Sequence, residues 1–179
     1  MRVNRVDNNT NNVNFKAKPI IQIGEELIEY LGTRPRVECA QLTDELAAIV
    51  RFFSRASSTI GKESDTFALQ STGNYMLNIV PNAARRDEDK LTVPFFGAHI
   101  SPMVQMTRGI SLLASKFGNN KKLNLDLLCS RPYADFTYRL DGEKVVRVPF
   151  ADRPTVSDAP QELTVEDCLN MIRSLNTKA

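Results

Sequence analysis

One histidine, His99, stands in a chain of 179 residues. No other side chain present has an ordinary pKa between about pH 5 and 8, so an enzyme built on this sequence would draw its near-neutral acid or base from this residue. His99 lies in Phe95-Phe96-Gly97-Ala98-His99-Ile100-Ser101-Pro102, just ahead of a predicted helix start whose free amides could hold an anion. The plainer reading is a loop histidine bonded to backbone. Two polar groupings could complete a site: Arg131-Pro132-Tyr133-Ala134-Asp135, and Arg147 with Asp152-Arg153. His99 and Asp135 are the candidate catalytic residues. Arg131, Arg147 and Arg153 are candidate ligand-binding residues, because a guanidinium fork matches a carboxylate or phosphate. Against this stands the reading of solvated turn charges, which contribute little.

Other chemistry is ruled out by residue type and spacing. Cys39, Cys129 and Cys168 are odd in number and far apart, with no Cys-x-x-Cys pair and no histidine cluster. They are expected to be buried thiols, and neither a metal nor a cofactor is expected. Ala56 to Glu63 contains the Gly61-Lys62 pair of a phosphate-binding loop, but alanine replaces its first glycine and Glu63 its magnesium-binding hydroxyl. That motif is therefore rejected. No Gly-x-Gly-x-x-Gly and no Gly-x-Ser-x-Gly is present.

The elements that would position these groups follow from hydrophobic period. Ile23, Leu27, Tyr30 and Leu31 predict a short helix ending at Gly32. Leu46, Ile49, Val50 and Phe53 predict a second, capped by Thr43 with Asp44 and Glu45 at its positive end. From Asp65 the period becomes two, giving a hairpin of Phe67 and Leu69 with Tyr75, Leu77 and Ile79, then a third strand at Leu91 to Phe95 whose Pro94 places it at an edge or a strand end. Met103, Met106, Ile110, Leu113 and Phe117 predict a helix behind Ser101-Pro102. Leu123, Leu125 and Leu127 alternate as a strand. A second hairpin, Phe136–Leu140 with Glu143–Phe150, is predicted to turn at Asp141-Gly142 in type I′. Prolines keep residues 149–162 irregular, and Thr164 with Asp167 caps a last helix along Val165, Cys168, Leu169, Ile172 and Leu175. The expected fold is α+β: a mostly antiparallel sheet built from hairpins, covered on one face by about three helices, near 43–60, 101–117 and 164–175.

Residues 1–19 are expected to form a disordered, asparagine-rich tail ahead of one domain at 20–179. Within the tail, Val13, Phe15, Lys16 and Lys18 are candidate partner-docking residues, in a short docking or export signal. The tail holds Arg2, Arg5, Lys16 and Lys18 against Asp7 alone, which leaves the body 19 of the 23 basic and 20 of the 21 acidic residues. A body so balanced does not suit a duplex-binding face. No apolar run approaches the roughly 20 residues of a membrane span, and none follows Arg2 and Arg5 to make a Sec-type signal. The expected location is cytoplasmic, with non-Sec export left open by the tail.

The function expected from these residues is that of a non-enzymatic interaction or adaptor protein, its partner another protein. A small-ligand-binding protein or enzyme using His99 and the nearby arginines is the alternative. A nucleic-acid accessory protein acting through the basic tail is the second.

Overall fold

Proline and glycine punctuate the first third of the chain, and the structure follows them. Pro35 supplies the carbonyl that closes the first turn of a long helix, accepting from the Cys39 N–H at 2.8 Å. Gly24 does the same for a short one, accepting from Ile28 N–H. The computed structural model describes residues 18–57, 65–72, 76–82, 86–94, 102–117, 136–149 and 159–178. Its elements run β1 (Lys18–Gln22), α1 (Glu25–Gly32), α2 (Arg36–Ser57), β2 (Thr66–Thr72), β3 (Met76–Pro81), β4 (Leu91–Pro94), α3 (Pro102–Lys116), β5 (Phe136–Asp141), β6 (Lys144–Pro149), β7 (Gln161–Leu163) and α4 (Val165–Leu175).

This is an α+β fold, with the described strands divided between two sheets. One is four-stranded in the order β1-β2-β3-β4, and the other is three-stranded in the order β5-β6-β7. Pairing is antiparallel except between β1 and β2, which run parallel because α1 and α2 form the crossover between them. The core is built from Leu27, Ile28 and Leu31 of α1, Ile49 and Phe53 of α2, Phe67 and Leu69 of β2, Leu77 and Ile79 of β3, Ile110 and Leu113 of α3, and Ile172 of α4, all buried. At Gly109, α3 crosses so close that an added Cβ would lie 2.5 Å from Ile79 and 2.9 Å from Phe53.

Several expectations are corrected. Strand β1 starts at Lys18, inside the stretch assigned to the tail, because β2 offers it a parallel partner. Ile23 is a buried linker residue ahead of α1. Helix α2 begins at Arg36, so Thr43 and Asp44 are interior helical positions and not a cap. Strand β7 occupies part of the predicted irregular stretch, since β6 offers it an edge. The second hairpin turns one residue later than predicted, with Asp141 opposite Lys144. Of the two turn residues, Gly142 takes a positive φ, +60°, and Glu143 does not, which is the type II′ pattern and not type I′. The predicted strand at 123–127 lies outside the described residues.

The edge of β1 facing away from β2 is closed by the chain's own last residues. Ile21 N–H donates to Thr177 Oγ1 at 2.8 Å, and Thr177 N–H donates to Ile21 O at 3.0 Å. Ile23 N–H donates to Asn176 Oδ1 at 2.6 Å, and Asn176 Nδ2 returns a bond to Ile23 O at 3.1 Å. Pro19 has no amide hydrogen to offer. Two residues after α4 thus satisfy an edge that would otherwise recruit another strand.

Asn176→Ala removes two of these bonds. It is expected to lower stability by about 1–3 kcal/mol, a fall in melting midpoint of roughly 3–10 °C. It should also produce self-association visible by sedimentation, and an unchanged midpoint would show that the closure contributes nothing.

Candidate functional site

Helix α2 places Cys39 and Thr43 one turn apart on one face, with Asp44 at the next position, and all three are buried. Across from them, the register of the three-stranded sheet puts Tyr138, Arg147 and Gln161 in one row, opposite each other on β5, β6 and β7. The two rows meet. Arg147 Nη1 donates to Asp44 Oδ1, and Tyr138 Oη donates to Asp44 Oδ2 at 2.6 Å. Arg147 Nε donates to Gln161 Oε1 at 2.7 Å, and its guanidinium lies 4.5 Å from the centre of the Phe136 ring. The pair is buried: the side chains of Arg147 and Asp44 are 12% and 5% exposed. Burial raises the Tyr138 phenol above its ordinary range, and the Asp44 carboxylate raises it further.

Beside this pair lie two thiols. Cys39 is the fourth residue of α2 and Cys168 the fourth of α4, and both are buried. Each acts on the other: the interaction with Cys168 holds the Cys39 thiol below its usual range against the opposing effect of burial, with Thr43 lowering it further, and the interaction with Cys39, then burial, raises Cys168. Thr43 Oγ1 is near enough to act on Cys39 yet is in no hydrogen bond of ordinary geometry, although the residue is 1% exposed. Helix α4 is held at its start by a capping box: Asp167 N–H donates to Thr164 Oγ1 at 3.1 Å, and Thr164 N–H donates to Asp167 Oδ2 at 2.8 Å.

The second feature is on the surface. The described helices pack against the face of the four-stranded sheet that carries Phe67, Leu69, Leu77 and Ile79. On the opposite face the register aligns Gln22, Gln70, Asn78 and Thr92 in one row, with Ile20, Ala68 and Val80 in the next. Gln70 Nε2 donates to Gln22 Oε1 and Thr92 Oγ1 to Asn78 Oδ1, both at 2.6 Å. No charged residue lies in either row. The polar row opens at its β1 end into a groove of about 550 Å³ lined by Ile21, Gln22, Ile23, Gly24, Gln70, Ser71, Asn176 and Thr177.

Of the residues singled out in the sequence, His99, Asp135, Arg131, Arg153, Val13, Phe15 and Lys16 lie outside the described residues. Lys18 opens β1 and is exposed, its N–H donating to Asp65 O at 3.0 Å. Arg147 is inside the fold, with its guanidinium committed to Asp44, Gln161 and Phe136. Sequence reasoning missed Asp44, Thr43, Tyr138 and Gln161 as partners. The signal was present in the hairpin: a turn at Gly142-Glu143 sets Tyr138 opposite Arg147, whereas a turn at Asp141-Gly142 sets it opposite Val145. Among the described residues no group of His, Cys, Asp and Glu converges to hold a metal ion, and no helix is long and apolar enough to cross a membrane. No protein-family model, curated protein or solved structure matches the chain.

Arg147→Met strands the Asp44 charge in the core and is expected to cost about 3–5 kcal/mol, whereas Arg147→Met with Asp44→Leu should recover most of that loss. Chemical denaturation of both variants checks this; a double variant as unstable as the single would contradict it. Because the folded phenol of Tyr138 ionises above its unfolded value, its contribution is fully present below about pH 10 and is lost as pH rises toward the folded value. Tyr138→Phe should therefore flatten the fall in denaturation midpoint above about pH 10, while costing about 1–2 kcal/mol at neutral pH.

Proposed function

We propose that the protein is a non-enzymatic binding protein of the cytoplasm whose partner is another protein. We place the contact on the face of the four-stranded sheet opposite the described helices. The observation that carries this reading is the charge-free pair of rows there, Gln22–Gln70–Asn78–Thr92 beside Ile20–Ala68–Val80. Amide side chains can donate to and accept from a backbone, and the adjoining methyl groups give up water on contact. An uncharged extended segment suits both. The groove at Gln22, Gln70 and Ser71 receives its end. Arg147, a ligand-binding candidate in the sequence, holds Asp44 and is withdrawn from external recognition.

The test is site-specific photo-crosslinking in cells that make the protein. A crosslinker at Gln70 should capture a discrete protein partner, and one at the exposed Arg139 of β5 should not. Ala68→Lys, which places a charge at the centre of the face, should reduce the Gln70 adduct at least tenfold while leaving the melting midpoint within about 2 °C. Equal capture from both positions, or an adduct indifferent to Ala68→Lys, would refute the reading.

A further inference from the structure

We propose that the outer edge of β1 is a second interaction surface, fitted to an extended segment of a partner protein that runs antiparallel to β1, and that Asn176 and Thr177 form a latch which this segment displaces. The edge is separate from the sheet face assigned above, and the inference does not depend on that assignment.

The latch is itself a sample of what the edge accepts. Asn176 bonds Ile23 and Thr177 bonds Ile21, so the latch advances along β1 in the antiparallel direction. Of its four bonds only Thr177 N–H to Ile21 O comes from its own backbone; the other three are made by the Thr177 hydroxyl and the Asn176 amide. That amide accepts from Ile23 N–H and donates to Ile23 O, as the peptide groups of a neighbouring strand would. An extended segment supplies the same donors and acceptors from its main chain, so the exchange loses no hydrogen bond to the edge.

Release of the latch disturbs little else. The side chains of Ile21 and Ile23 are buried in the core, which fixes the backbone groups of the edge whether or not the latch is closed. Asn176 is half-buried and Thr177 exposed, whereas α4 is anchored by the buried Cys168 and Ile172 and by its capping box. Opening the residues after α4 therefore uncovers no buried apolar side chain, and a chain segment with so few contacts opens at low free energy. The approach is open at the same place. Both latch residues line the groove of about 550 Å³, together with Ile21, Gln22 and Ile23, and no charged residue lines it. An incoming segment thus presents an uncharged side chain to the groove. Its residues opposite Ile21 and Ile23 must each offer an N–H and a C=O, which excludes proline there.

The experiment selects peptides from a random decapeptide library on the full chain carrying Asn176→Ala, immobilised at low density so that copies do not meet. A selected peptide, synthesised, should bind this variant at least about fivefold more tightly than the wild-type chain, the equivalent of two hydrogen bonds withdrawn from the latch. N-methylation of one set of alternate backbone nitrogens in the peptide should abolish binding, and N-methylation of the other set should not. Bound peptide should slow amide exchange at Ile21 and Ile23 by at least about tenfold. Thr177→Val, which keeps the side-chain shape and removes one acceptor, guards against a misfolded Asn176 variant and should also bind the peptide more tightly than wild type. A library that yields no peptide, affinities equal across the three chains, equal effects of the two N-methylated sets, or unprotected Ile21 and Ile23 would each overturn the proposal. A variant that pairs with itself and selects no peptide assigns the edge to a second copy of the chain, and overturns it as well.

Discussion

A carboxylate in a protein interior stays charged only if something replaces the water it gives up, and at Asp44 that replacement comes from strands about a hundred residues further along the chain. Arg147 supplies the countercharge and Tyr138 a second donor. For both to face Asp44, β5 and β6 must pair with Asp141 opposite Lys144, which the positive φ of Gly142 permits. A slip of one residue would turn Arg147 to the other face and leave Asp44 unpaired. The ion pair is thus a constraint on register as much as a source of attraction. It makes α2 a wall shared by both sheets, because the same helix carries Ile49 and Phe53 into the core beneath the four-stranded sheet.

The consequences run to the C-terminus. Through Nε, Arg147 holds Gln161, which aligns β7 as the third strand. The residue after β7 is Thr164, whose cap starts α4. Helix α4 then carries Cys168 and Ile172 into the core and ends where Asn176 and Thr177 reach the free edge of β1. One buried contact, one short strand and one cap therefore connect the middle of the chain to both of its ends. Asp44, Arg147, Tyr138 and Gln161 are spent on one another in this arrangement. The face of the four-stranded sheet opposite the described helices holds the other balance, with amides and methyl groups and no charge in either row, which is why recognition is assigned there.

Much of the fold was legible in the sequence because it rests on contacts between near neighbours. The alternation of Phe67, Leu69, Leu77 and Ile79 marks β2 and β3, Pro94 marks an edge, and the pair Thr164 and Asp167 marks the start of α4 through bonds spanning three residues. Burial of Cys39 and Cys168 also followed from residue type. Cap chemistry at Thr43 and Asp44 was misleading for a physical reason. A short oxygen-bearing side chain that can satisfy a helix's free amides can equally accept from a distant arginine or tyrosine, and composition alone does not separate the two.

What the sequence by itself determined is the set of elements whose signals are local: the periods, the prolines and glycines, the α+β class. What only the tertiary structure decided is which elements share a sheet and which polar groups meet. Asp44 and Arg147 are 103 residues apart, and Ile23 and Asn176 are 153 apart. Neither member of such a pair carries a mark of the other. Lys18 to Gln22 has too little period to announce a strand, and it becomes one because β2 and the C-terminal residues satisfy both of its edges. Backbone hydrogen bonds between distant segments form only once folding has met the entropy of closing the loop between them, and that closure is a property of the whole chain and not of any window within it.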